Sequence, residues 1–239
     1  MTGASVPIAL LQLASPALPI GGYSYSAGLE WALDSGAVTG EAQAREWIAD
    51  ALALGLASFE GPLMREAMRA AAGLPGADAI EALARLNETA LAARETDELR
   101  LESAQMGYSL GRWLEAICPE PLADAALAAR LSACADGAAA PLALPVAWAI
   151  AATRLGLGER DALLGLFWTF AENQAMVLMK AMPMGQIAAQ RLLRALAPDL
   201  DAAVERAAML PADAWSSAAP GLAIASARHE TQYSRLFRS

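Results

Sequence analysis

A chain of 239 residues with 56% hydrophobic content is long enough to bury a substantial core and too apolar to stay disordered. Alanine and leucine dominate that fraction while β-branched and aromatic strand formers are sparse, so the expected class is all-α. A formal net charge of -9 with no Lys/Arg stripe to offset it repels phosphate backbones, which argues against nucleic acid and leaves proteins as the expected partners.

The opening MTGASVPIALLQLASPALPIGG has no basic residue ahead of its apolar ones and does not read as an export signal. Ala44, Trp47, Ile48, Ala51, Leu52, Gly55 and Phe59 then recur at helical spacing, with Thr39 as the expected N-cap and Glu41 in the first turn. Pro62 is expected to open a second helix at its first position, with Leu63, Met64, Ala67, Met68 and Ala71 on one face and Gly73 as its stop. Asp78 with Glu81 has the form of a capping box ahead of Ile80, Leu83 and Ala84. From Thr96, the residues Leu99, Met106, Leu110, Trp113, Leu114 and Ile117 form another stripe that ends at Pro119.

A short helix is expected around Leu122 to Ala135, followed by a turn at Asp136-Gly137. Pro145 to Leu155 is apolar nearly all round, which predicts a central helix ending at Gly156. Leu163, Leu164, Phe167, Trp168, Ala171, Ala175 and Leu178 line a long helix that breaks at Pro183 and Gly185. Two helices fit before and after Pro198, then an irregular stretch from Pro211 to Gly221 and a last element from Leu222. No repeat or linker divides the chain, so one domain of about ten helices is expected over 1–239. The longest charge-free stretch, Gly137 to Thr153, falls short of the roughly 20 residues a membrane span needs. Cys118 and Cys134 lack metal or redox spacing and read as reduced thiols in a cytoplasmic protein.

Catalytic residue types are scarce. His229 is the sole histidine, so paired-histidine metal sites are ruled out, and neither a GxSxG elbow nor a phosphate-binding glycine loop is present. No metal or other cofactor is expected. Met176, Met179, Met182 and Met184 could fill core at a helix end or form an adaptable surface. Lys180, the sole lysine, could cap the last carbonyls of its helix or mark a contact surface.

Two segments are not explained by ordinary helix packing. SPALPIGGYSYSAGLE, 15–30, is a proline- and glycine-shaped turn that presents Tyr23 and Tyr25. RHETQYSRLFRS, 228–239, gathers Arg228, Arg235 and Arg238 with Tyr233, Leu236 and Phe237, the residue types that anchor interfaces. With ARETDELRLESAQMGYSLGR (Ala93–Arg112) and VLMKAMPMGQIAAQ (Val177–Gln190), these segments resemble UreF, the urease accessory protein family, along the whole chain.

The resemblance implies an all-α homodimer that acts without its own catalysis. It would join a UreD-type protein, also called UreH, and the GTPase UreG in the complex that inserts nickel into apo-urease, with nickel handled by the complex. By the closing motif, Arg228, His229, Glu230, Tyr233, Arg235, Leu236 and Phe237 would contact the UreD-type partner. Tyr23, Ser24, Tyr25 and Glu30 match the opening motif, which assigns partner binding to segments of about 8–30 and about 222–239. Lys180, Gly185 and Gln186 match a KxxPxGQ-like pattern and would lie on the dimer or UreG-facing surface.

Arg235 is expected to stack on Tyr23 and so order the tail. Ala223 and Ala227 stand where the family motif has aspartate and methionine, which leaves the last helix without an N-cap side chain and predicts a poorly ordered tail. Leu144 stands before Pro145 where many relatives carry histidine, which weighs against histidine relay of nickel. Two alternatives stay open: an arginine finger acting on UreG, and an all-helical enzyme using Glu95 and Glu98 with Lys180.

Overall fold

The structure is a computed structural model describing residues 6–118 and 141–239. The described residues form α1 (Ile8–Leu13), α2 (Leu29–Asp34), α3 (Glu41–Asp50), a π-helical stretch (Ala51–Glu60), α4 (Gly61–Ala71), α5 (Ala77–Ala92) and α6 (Asp97–Ile117). They continue with α7 (Leu144–Arg154), α8 (Glu159–Ala181), α9 (Gln186–Ala195), α10 (Ala197–Met209) and α11 (Pro220–His229), without a strand among them. The expected short helix at 122–135 and the turn after it lie outside the described residues.

The apolar stripe of α7 is buried all round, as its sequence predicts. Val146, Ala147, Trp148, Ala149, Ile150, Ala151 and Ala152 are all buried, and the helix packs between α4 and α6. Trp148 donates its indole N–H to the Ala162 carbonyl at 3.0 Å, so this fully buried ring carries no unpaired polar group. The long α8 packs against α1, α2, α4, α9 and α10. Among the described residues it is the helix long and apolar enough to cross a membrane, but here Leu163, Phe167, Ala171 and Leu178 are turned into the protein's own core. Met184 is buried as filler, whereas Met176 remains exposed.

Two expected N-caps, at Thr39 and Asp78, are not formed, and a third expectation, a helix start at Pro62, holds only in part. Pro62 does stand in the first turn of α4, but no break precedes it, because α3, the π-helical stretch and α4 run continuously from Glu41 to Ala71. Proline has no N–H for the Ser58 carbonyl four residues earlier, and that carbonyl instead accepts from Ser216 N at 3.0 Å. The wider π turns immediately before Pro62 accommodate the ring without a break. At α3 the N-cap is Gly40; the Thr39 hydroxyl is occupied in donating to Gln43 Oε1 at 2.6 Å. At α5 the N-cap is Gly76, and Asp78 sits inside the first turn, where its charge still favours the positive helix end. Thr96 does cap α6, accepting from Leu99 N at 3.2 Å.

Candidate partner-binding site

The two unusual segments meet. Gly28, at φ +78°, is the N-cap of α2, and a Cβ there would lie 3.0 Å from both Ala225 Cβ and Ser226 N of α11. This close approach places Glu30, in the first turn of α2, against the residues that follow α11. Glu30 is 5% exposed. Its Oε1 accepts from Leu236 N at 2.6 Å and its Oε2 from Phe237 N at 3.0 Å, with His229 Nε2 also 3.0 Å from Oε2. A buried carboxylate is tolerated when donors converge on it in this way.

His229 is fully buried, and its other ring nitrogen lies 2.7 Å from Glu98 Oε2. Arg235 Nη1 donates to Glu98 Oε1 at 2.5 Å. Glu230 takes over the start of α6, accepting from Asp97 N at 3.0 Å and Glu98 N at 3.3 Å. Beneath them the hydroxyls of Thr96 and Ser226 are 2.7 Å apart. The remaining tail pairs with the turn before α2: Arg238 N donates to Ser24 O at 2.9 Å and Ser26 N to Ser239 O at 2.6 Å. Phe237 is buried beneath Lys180, whose Nζ is 4.3 Å from the ring centroid and donates to Leu236 O at 2.9 Å. Lys180 therefore joins the tail rather than capping its own helix.

Other candidates face outward. Tyr23, Tyr233 and Leu236 are exposed, as are Arg228, Gly185 and Gln186, the last two at the start of α9. Tyr25 is buried, its phenol donating to Gln105, and burial pushes its pKa above the ordinary range. The expected stacking of Arg235 on Tyr23 is not formed. Arg235 pairs with Glu98 instead, because a largely buried carboxylate attracts a guanidinium more strongly than an exposed phenol face does. The tail is docked on the protein although its helix is uncapped. α11 has Ala219 at its N-cap with no side-chain bond, and the side chains of Glu30, Glu98 and Lys180 hold the tail instead.

Sequence reasoning missed Glu98, Glu102 and Ser26 as tail contacts. Glu98 and Glu102 stand one helical turn apart on α6, a spacing that marks a shared face, but nothing in it names the tail as that face's partner. Glu102 accepts from the Ser239 hydroxyl at 2.5 Å and lines a partly open cavity of about 100 Å³ with Glu60, Arg94, Glu95 and Asn173. Glu95, Glu98 and Lys180 share no hydrogen bond or ion pair, so the three are not assembled as a catalytic cluster. Among the described residues, no group of three or more His, Cys, Asp or Glu side chains could hold a metal.

Burial pushes the Glu102 carboxyl up to about 7, with Glu60 and Glu98 adding to the rise and the Ser239 hydroxyl and Arg94 opposing it. An acid raised in this way binds more protons folded than unfolded between its ordinary 4.5 and about 7. Its contribution is therefore most favourable below that window, falls across it as pH rises, and stays low above. The loss is at most about 3 kcal/mol. Melting curves at about pH 5 and about pH 8 should show Glu102→Gln losing less stability than the parent over that interval. An equal loss in both proteins would remove Glu102 as the cause.

The UreF family model matches residues 38–197. The chain is 51% identical over 235 residues to the urease accessory protein UreF of Azoarcus sp. (strain BH72), covering 97% of this chain and 95% of that protein. It is 51% identical over 233 residues to the namesake from Ectopseudomonas mendocina (strain ymp), covering 97% and 98%. Against the namesake from Dechloromonas aromatica (strain RCB) it is 44% identical over 231 residues, covering 96% of each. Coverage of this extent takes in most of the opening and closing segments that lie outside 38–197.

Proposed function

The chain belongs to the UreF family of urease accessory proteins, and from that premise we propose that it is a non-catalytic adaptor joining a UreD-type protein and the GTPase UreG on apo-urease. The observation that carries this reading is the convergence of the opening segment, the α8 terminus and the tail on one site. There Glu30, Glu98 and Lys180 hold the tail from within while Tyr23, Tyr233 and Leu236 stay exposed. An interface needs such a shape: polar anchors fixed beforehand, with aromatic and aliphatic groups presented to the partner. On this reading the UreD-type partner covers the tail. Gly185 and Gln186, exposed at the start of α9, belong to the dimer or UreG-facing surface of a cytoplasmic homodimer, and nickel passes through the complex without residing here as a cofactor.

The test mixes the purified chain with UreD, UreG and apo-urease from one source and follows assembly, GTP turnover and urease activation together. An adaptor yields a complex and activated urease with little change in turnover. Arg235→Ala should weaken binding of the UreD-type protein by on the order of tenfold, since it removes the ion pair that fixes the tail. Unchanged affinity would remove the tail from that interface. A second reading, an arginine finger acting on UreG, can draw on Arg228 or on the exposed arginines of other helices, such as Arg100, Arg191, Arg194 and Arg206. Faster GTP hydrolysis that is lost in one of these arginine-to-alanine variants would favour that reading over the adaptor.

A further inference from the structure

The cavity beside the tail is bounded on one side by the π-helical stretch. A π-helix bonds each residue to the fifth along, so residues roughly four to five apart share a side. Ala51, then Gly55 and Leu56, then Phe59 and Glu60 accordingly all line the cavity. Met106 of α6 with Leu166 and Phe170 of α8 complete its apolar walls. Its charge is uneven: Glu60, Glu95 and Glu102 share one guanidinium, that of Arg94, which pairs with Glu60 at 2.9 Å. The Glu102 carboxyl, pushed up to about 7 by burial with Glu60 adding to the rise, reflects the same shortage of positive charge.

In a chain of net charge -9, an apolar recess with unbalanced carboxylates repels an anion and suits a cation carried on a hydrocarbon stem. An apolar cavity of roughly 150 Å³ admits benzene, so one of about 100 Å³ has room for a group of a few heavy atoms. A lysine side chain, four carbons and an ammonium nitrogen, matches that size better than the longer, planar arginine. The cavity also shares walls with the tail site: Gly22 comes from the opening segment, Leu222 from α11, and Glu102 accepts from Ser239.

We propose that this cavity receives a lysine side chain of the UreD-type partner, with its stem against Phe59, Met106 and Phe170 and its ammonium among Glu60, Glu95 and Glu102. The proposal rests on the reading of the tail as the surface that partner covers, since a protein seated on the opening segment and the tail stands beside walls that both contribute. Taking the ammonium out of water is offset by contact with carboxylates that otherwise lack a cation. A buried anchor in a pocket is also where interface energy concentrates.

The test uses the full chain and the UreD-type protein from the same source. Gly55→Leu puts a side chain into the cavity, because a Cβ at Gly55 meets nothing within 4 Å among the described residues. Glu95→Gln removes an exposed carboxylate from the lining. Affinity should fall about tenfold or more in Gly55→Leu. In Glu95→Gln it should fall about threefold, and that loss should shrink as salt rises. The Leu236 and Phe237 amides should keep parental exchange protection in both variants, which separates the cavity from the docking of the tail. Acetylation of accessible lysines, read by mass spectrometry, should find a partner lysine protected in the complex with the parent and reactive in the complex with Gly55→Leu. If no partner lysine is protected by the parent chain, or the same lysines are protected by Gly55→Leu, the cavity has another occupant and the proposal is overturned. Parental affinity in Gly55→Leu, alongside weakened binding in Arg235→Ala, would overturn it while leaving the adaptor reading in place. Absence of any complex with the parent chain would remove both.

Discussion

Glu30→Ala is expected to undock the tail, because one substitution removes the acceptor of two backbone amides and one of the two carboxylates beside His229. Breaking a buried charged cluster from one side costs about 3–5 kcal/mol, since the groups left behind lose their partner without regaining water. Here the tail can detach and rehydrate, so the loss of global stability is capped at whatever docking contributes. Amide exchange reports the change directly: Leu236 and Phe237 should become unprotected while buried amides of α7 and α8 keep their protection. Glu30→Gln should fall between parent and alanine variant, because its carbonyl can still accept one amide while its NH₂ confronts the ring. Protected Leu236 and Phe237 amides in Glu30→Ala would mean that Lys180 and the Ser26 contacts suffice to hold the tail.

Gly107→Ala is expected to destabilise the whole protein by about 3 kcal/mol or more. A Cβ at Gly107 would overlap Leu142 O and lie 2.9 Å from the carbonyl carbons of Leu142 and Ala143, all of them backbone atoms. That backbone cannot retreat cheaply. Asn87 of α5 donates to Pro141 O at 3.1 Å and accepts from Ala143 N at 2.7 Å, while Ser103 of α6 accepts from Leu144 N at 3.1 Å. Moving the segment would break these bonds and shift α7, where Trp148 is fully buried. Gly111, one turn further along α6, is the control. Among the described residues its Cβ would meet only Leu142 Cδ1 at 3.9 Å, so Gly111→Ala should gain helix propensity of up to about 1 kcal/mol. Denaturant unfolding of the two variants separates the effects, and equal stabilities would show that the close approach at Gly107 carries no cost.

The helices were legible wherever the apolar spacing was long. The stripes leading from Ala44, Leu99, Pro145 and Leu163 all lie on helices, and the Thr96 cap stands where its side chain and the following acidic turn indicate. Readings based on one residue's usual habit did less well: the break expected before proline 62, threonine as a cap at 39, an Asp/Glu pair as a capping box at 78. The first two were decided by a neighbour in space or a competing side chain, Ser216 at the Ser58 carbonyl and Gln43 at Thr39, while at α5 Gly76 is the N-cap without a side-chain bond. The tail's residue types were legible as interface-forming, but their partners were not, since Glu30 and His229 are 199 positions apart.

The sequence by itself determined the all-α class, the acidic surface and the two segments whose wording places the chain among urease accessory proteins, because periodicity, charge and motif are local properties. Only the tertiary structure decided which residues of those segments turn inward. Glu30, His229 and Phe237 are buried while Tyr23, Tyr233 and Leu236 are exposed, although all six carry the same resemblance. The physical reason is that a charged or ring-nitrogen group can be buried only where donors and acceptors converge on it. That convergence is assembled from α2, α6, α8 and the tail, and no stretch of sequence contains it.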